Sequence, residues 1–361
     1  MGKTTLAQDF AELRDAVYLD LERRADQQIL QEPDLYLDAQ AGQLVVIDEM
    51  QLMPGLFGTL RGQIDRPRRD GHRTGQFLLV GSASDTLLHQ SAESLAGRVS
   101  YHELTPFTLQ EVGQRALAPL WLRGGFPESY LAASDRDSLS WRNDFIRTYL
   151  ERDIPAFGLR IPAKTLRRFW TMLAHEQGGL LNAARIAAGL GVSGQSVARY
   201  LDLLVELMLV RRLPPWHANA GKRLVKSPRV YISDSGLTHA LLGLGTVEAL
   251  LGHPVFSGSW EGFCIENLIA AVPRGTQASF YRSAAGAEID LILSLPDGAL
   301  WAVEIKRSTS PKVSRGFHLA ADELGVAERL LVYAGERAVP GQSGLQALPL
   351  DQAMARLSQA G

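Results

Sequence analysis

The sequence predicts an α/β protein made of a parallel-sheet domain, a mostly helical region and a second α/β domain. Three observations carry that reading. Up to about Leu104, short apolar runs at 44–47 and 77–80 sit between polar, helix-like segments, the rhythm of strands buried on both faces of a parallel sheet. From Thr105 to Pro228, apolar residues recur at three- and four-residue spacing with proline and glycine punctuation, which is helical syntax. From Arg229 onward, strand-like and helical segments alternate again. The 361 residues suffice for several cores, and the changes of texture set expected domains at 1–104, 105–160, 161–232 and 233–361.

Composition narrows the function classes. The 37 basic residues against 39 acidic ones give a net charge of −2, which excludes gripping nucleic acid by bulk electrostatics and leaves only a local basic face for that purpose. A single cysteine, Cys264, excludes a disulfide framework and a thiolate zinc cluster, and is expected as a small buried hydrophobe in a reducing compartment. No apolar run is long enough to cross a bilayer, and MGKTTLAQDF lacks the charged-then-apolar plan of a secretory signal, so a cytoplasmic protein with no membrane partner is expected.

In the first domain, Gly2-Lys3-Thr4-Thr5 matches the end of a Walker A loop, where backbone N–H groups and a lysine surround phosphates and a hydroxyl meets Mg²⁺. The leading glycine of the full pattern would fall about five residues earlier, so the sequence starts inside the loop and a strand is expected upstream. The run LVVIDE then reads as a Walker B strand. Asp48 at its tip is placed to order the metal, and Glu49 to polarise an attacking water. A third strand, FLLV, leads into GSAS, which puts Ser82 where a γ-phosphate sensor would lie. Arg98 reads either as a phosphate reader or as the partner of a carboxylate.

In the middle region, Asn182 is expected to cap a helix over 183–188 that Gly189 and Gly191 end; Ser193 caps the next. Val197, Leu201, Leu204 and Met208 then share a buried face, leaving Gln195, Arg199 and Asp202 outward. This is helix-turn-helix syntax, and strands at 209–213 and 229–232 flanking the loop AGKRLVKSPR complete a winged-helix outline. Arg211, Arg212, Lys222, Arg223, Lys226 and Arg229 make the neighbourhood basic. It reads either as a DNA-phosphate contact, through Gln195, Arg199, Lys222, Arg223 and Lys226, or as the solvated surface of a docking domain.

In the last domain, EIDLIL alternates polar and apolar residues, so Glu288 and Asp290 share a face while Ile289, Leu291 and Leu293 face a core. After a Pro-Asp-Gly turn, the strand ending VEIK puts Glu304 and Lys306 together. Asp290, Glu304 and Lys306 at this spacing resemble a PD-(D/E)xK nuclease core of restriction-endonuclease-like fold, in which acids bind Mg²⁺ and the lysine aids water activation. Glu261 resembles the further acid and metal ligand of that fold, with Glu266 as the competitor. An inert carboxylate–lysine pair on a half-exposed strand would produce the same letters.

Taken together, GKTTLA, VVIDEMQ, FLLVGSAS, ESLAGRV and ELTPFTLQE resemble prokaryotic AAA-type P-loop ATPases whose C-terminal half is a domain of unknown function. The likeness continues through WLRGGFPESYL, WRNDFIRTYLERDIP and KRLVKSPRVYISDSGL, so it spans nearly the whole chain. It implies ATP and Mg²⁺ as cofactors, held by Gly2, Lys3, Thr4, Thr5, Asp48, Ser82 and Arg98. Three functions stay open: an ATPase coupled to a nuclease-like, DNA-binding domain; a Mg²⁺-dependent nuclease with ATP as regulator; and a non-hydrolysing regulator that holds DNA, another protein or a second copy of itself.

Overall fold

Short aliphatic runs form the first sheet of the computed structural model, which describes residues 2–69, 71, 74–81, 95–156, 161–216, 226–283, 286–309 and 312–360. Strands β1 (Val17–Asp20), β2 (Val45–Asp48) and β3 (Phe77–Leu79) are parallel and lie in that order. Asp20 is opposite Asp48, and Val45 is opposite Phe77. All four residues of β2 are buried, because both faces of this middle strand are covered. Ala7 and Ala11 of helix α1 (Lys3–Arg14) pack on Val46. Phe57 and Leu60 of helix α2 (Leu56–Arg69) cluster with Ile47 and Leu19. The mixed α/β character and parallel N-terminal sheet expected from the sequence are present. The chain divides into two compact units, Met1–Leu104 and Thr105–Gly361.

In the second unit, helices α3 (Leu117–Arg123), α4 (Asp135–Thr148) and α5 (Ala163–His175) precede a pair of capped helices. The Asn182 side chain accepts the Arg185 N–H at the start of α6 (Ala183–Leu190), and Ser193 accepts the Ser196 N–H at the start of α7 (Gly194–Glu206). Helix α6 runs through Gly189 instead of stopping at Ala188, since Gly191, at φ 68°, makes the left-handed cap that ends it. Val197, Leu201 and Leu204 are buried, whereas Met208 lies past the helix at φ 57°, outside the expected face. Strands β4 (Val210–Leu213) and β5 (Arg229–Ile232) pair antiparallel, with Leu213 opposite Arg229.

Helix α8 (Ser235–Leu241) and helix α9 (Phe256–Ala271) lead into a six-stranded mixed sheet. Its strands are β6 (Gln277–Arg282), β7 (Glu288–Ser294), β8 (Leu300–Lys306), β9 (Glu328–Tyr333), β10 (Val339–Pro340) and β11 (Leu345–Leu348). Their order is β10-β11-β9-β8-β7-β6. Helices α9 and α11 (Leu350–Ser358) share a core with Leu291, Leu293 and Val303; α10 (Arg315–Leu324) covers Ile292 and Ala302 on the other face. The half-exposed alternation expected for β7 is therefore corrected: both its faces are covered, and Ile289 clusters with Ile292 instead of Leu291. A bulge is the reason. Between the pairs Ser279–Ile292 and Tyr281–Ile289, β7 spends one more residue than β6.

Candidate functional site

At the C-terminal ends of the first parallel strands, acidic residues meet the start of α1. Gly2 takes φ 71° and its carbonyl accepts the Leu6 N–H, so the helix begins at Lys3. Asp48 is 1% exposed; one of its carboxylate oxygens accepts the Tyr18 hydroxyl at 2.7 Å and the other the Glu49 N–H at 2.9 Å. Glu49 leaves the strand in the left-handed region, at φ 56°, a strained choice for a non-glycine residue that re-aims its side chain. Burial raises the Glu49 carboxyl above its ordinary range, while the Gln51 amide and the nearby Lys3 ammonium pull it back down. Lys3 and Glu49 thus share one electrostatic neighbourhood beside Asp48. Thr4 and Thr5 are exposed on the first turn.

Two further residues are named for this site by the sequence. Ser82 lies outside the described residues. Arg98 is engaged by a carboxylate, the second of the roles expected for it: its Nε and Nη2 donate to Asp65 at 2.7 and 2.8 Å, and Nη1 donates to the Ala96 carbonyl.

A second charged centre lies in the other unit. At its bulge β7 leaves the β8 ladder, and Asp290 uses one oxygen to accept the Ile305 N–H at 3.0 Å. Lys306 sits 2.7 Å from Glu304 and 3.8 Å from Asp290. From α9, Glu261 accepts the Tyr231 hydroxyl at 2.5 Å. Asp290, Glu304, Lys306 and Glu261 are therefore brought together, whereas Glu266 pairs with Arg211. Glu261 and Glu304 are both pushed up to about 7, by burial first and then by the Asp290 carboxylate.

Sequence reasoning missed the central member. The sequence counts Arg229 among the residues that make the winged-helix neighbourhood basic, but it is 6% exposed and paired with Glu261 at 2.8 Å, Asp290 at 3.4 Å and Glu288. Phe280 covers its guanidinium at 5.1 Å. The available signal was the strand RVYI, where an arginine and a tyrosine two residues apart fall on one face of an otherwise apolar segment. A divalent cation does not fit the acids as they stand, because Arg229 at 3.4 Å and Lys306 at 3.8 Å already put two positive charges beside Asp290. Among the described residues, no group of three or more acids, histidines or cysteines has metal-holding geometry.

The expected basic face is thinner than its letters suggest. Arg211 and Arg212 pair with Glu266 and Asp202. Lys222 and Arg223 lie outside the described residues, while Gln195, Arg199 and Lys226 are exposed. Among the described residues, no helix is long and apolar enough to cross a membrane.

Comparison with known proteins agrees with this division. A family model described as an AAA domain matches residues 1–113, which supports an AAA-type P-loop ATPase unit at the N-terminus. Two models described as domains of unknown function, DUF8612 and DUF4143, match residues 114–248 and 256–353. No solved structure matches the chain. Uncharacterized protein Rv2008c of Mycobacterium tuberculosis and Uncharacterized protein Mb2031c of Mycobacterium bovis are each 43% identical over 351 residues, covering 97% of this chain and 78% of theirs. Identity of that extent across an AAA domain and both following domains establishes kinship, and the chain belongs to the family of AAA-domain proteins that these two mycobacterial proteins represent.

Proposed function

We propose that the chain is a Mg²⁺-dependent ATPase whose hydrolysis centre is Lys3, Thr4, Asp48 and Glu49. The observation that carries this reading is the shared neighbourhood of Lys3 and Glu49 beside the buried Asp48, at the end of a parallel sheet where an AAA domain is matched. The N–H groups that open α1, together with Lys3, would hold phosphate; Thr4 and Asp48 would hold Mg²⁺, with Gly2 and Thr5 shaping the loop. Mg²⁺-ATP, when bound, supplies a phosphoryl group whose transfer needs charge compensation more than covalent help. Glu49 would orient water and accept its proton, a role suited by a carboxyl that burial holds above its ordinary range. Steady-state ATP turnover tests the assignment. Glu49→Gln should keep nucleotide affinity and lose roughly 10²- to 10⁴-fold in rate; equal rates in both proteins would remove Glu49 as the base.

For the second unit we infer a winged-helix region followed by a PD-(D/E)xK nuclease-like fold that binds a partner and does not cut. The convergence of Asp290, Glu304 and Lys306 supports the fold, and the arginine among those acids supports the absence of cleavage. DNA as the partner rests on the exposed Gln195, Arg199 and Lys226, with Lys222 and Arg223 in the same stretch of sequence. Salt-dependent binding of duplex DNA that Arg199→Glu with Lys226→Glu abolishes would support DNA; binding unchanged by that reversal would leave a protein partner as the reading.

A further inference from the structure

We propose that Arg229 is the resident cation of the acid centre in the second unit and excludes divalent metal from it. This deepens the nuclease-like reading above and rests on it, since that reading makes these acids a ligand set.

Four carboxylates, Glu261, Glu288, Asp290 and Glu304, come from α9, β7 and β8 and are partly or fully buried. Like charges gather in a protein interior only when opposite charge joins them. A hard divalent ion does this by taking free oxygen lone pairs at about 2.0 to 2.6 Å. Here a guanidinium already takes them. Arg229 Nη1 meets Glu261 at 2.8 Å and Asp290 at 3.4 Å, while its Nη2 meets Glu288.

The other Asp290 oxygen receives the Ile305 N–H at 3.0 Å and lies 3.8 Å from Lys306. Two cations, Arg229 and Lys306, therefore already flank the acid that a metal would need first, and a divalent ion would enter against both charges. Arg229 is also anchored. Its backbone is fixed in the β4–β5 pairing opposite Leu213 and in a bridge to Leu180, and the Phe280 ring covers its guanidinium. One acceptor is left over: Glu304 Oε2 is buried without a hydrogen-bond partner, in a residue 5% exposed. Arg282 also meets Glu288, at 3.9 Å, and four acids around Arg229, Lys306 and Arg282 leave room for added positive charge once Arg229 is removed.

Mn²⁺ binding to the full chain, measured without nucleotide by calorimetry and by the electron paramagnetic resonance of free Mn²⁺, tests this. Wild type should show no saturable site that Asp290→Asn abolishes. Arg229→Met should gain one site, about 100-fold tighter than any wild-type binding, the scale expected when a unit charge a few ångströms away is removed; adding Asp290→Asn should abolish it. Mn²⁺ should also raise the unfolding temperature of Arg229→Met more than that of wild type. Should the unpaired acids prevent Arg229→Met from folding, Arg229→Met with Glu288→Gln carries the same test with one acid fewer.

A wild-type site lost on Asp290→Asn would overturn the role of Arg229 while keeping the ligand set. Folded Arg229 variants that gain no Mn²⁺ site abolished by Asp290→Asn would overturn the ligand set and the proposal with it.

Discussion

His239 shows how one buried side chain fixes its own protonation. The Leu122 carbonyl can only accept, so Nδ1 carries the proton and donates to it at 2.9 Å. Nε2 then accepts from Ser259 Oγ at 2.7 Å, and the same Oγ accepts the Trp121 Nε1–H at 3.1 Å. Burial pulls the imidazole down from 6.5 to about 4, against the Leu122 hydrogen bond. Between those values the unfolded chain binds more protons than the folded one, so acid favours unfolding. This contribution is fully present above 6.5, is lost as pH falls toward 4, and amounts to about 3 kcal/mol at full extent. Urea midpoints should therefore fall more steeply over that window in wild type than in His239→Gln. Parallel curves would contradict the assignment.

Among elements, the junction of α3, α4 and α8 is held by backbone groups that side chains reach from far along the chain. Asp234 caps α8 by accepting the Leu237 N–H at 2.8 Å, and its other oxygen accepts the Gly125 N–H at 2.8 Å. Arg142, fully buried on α4, donates to the carbonyls of Leu122 and Gly236. Gly124 takes φ 77°, and a Cβ there would come within 2.1 Å of the Asp234 carboxylate. Gly124→Ala should cost roughly 3 kcal/mol, since it adds backbone strain to a collision with a buried cap. Chemical denaturation would register this as a lowered midpoint, and an unchanged midpoint would refute the close approach.

Such contacts also mark what the letters could and could not reveal. The parallel strands, the Asn182 and Ser193 caps and the inward face of α7 follow from periodicity and local hydrogen bonding, so they were legible. The Walker-like letters flagged Lys3, Asp48 and Glu49, but nothing local announced that Tyr18 would bond Asp48. Arg229 was misplaced for the same reason. A charge count along the chain sees neighbouring basic residues, whereas its actual partners lie 32, 59 and 61 positions away. The bulge in β7 was equally hidden, because it depends on the register against β6.

At the scale of the whole molecule, two compact units carry different chemistry. All six tryptophans, at 121, 141, 170, 216, 260 and 301, lie in the second unit, so their fluorescence reports on it alone. If the nucleotide belongs to the first unit, Mg²⁺-ATP should raise a calorimetric transition that tryptophan fluorescence does not see. A shift confined to the fluorescence transition would place the nucleotide elsewhere. The account as a whole depends on Lys3 and the acids after β2 acting as one triphosphate site. Equilibrium titration of the protein with a fluorescent ATP analogue and Mg²⁺, comparing wild type with Lys3→Ala, tests this most directly. Loss of one charged phosphate contact predicts roughly 10- to 100-fold weaker binding, and undiminished affinity in Lys3→Ala would contradict the site.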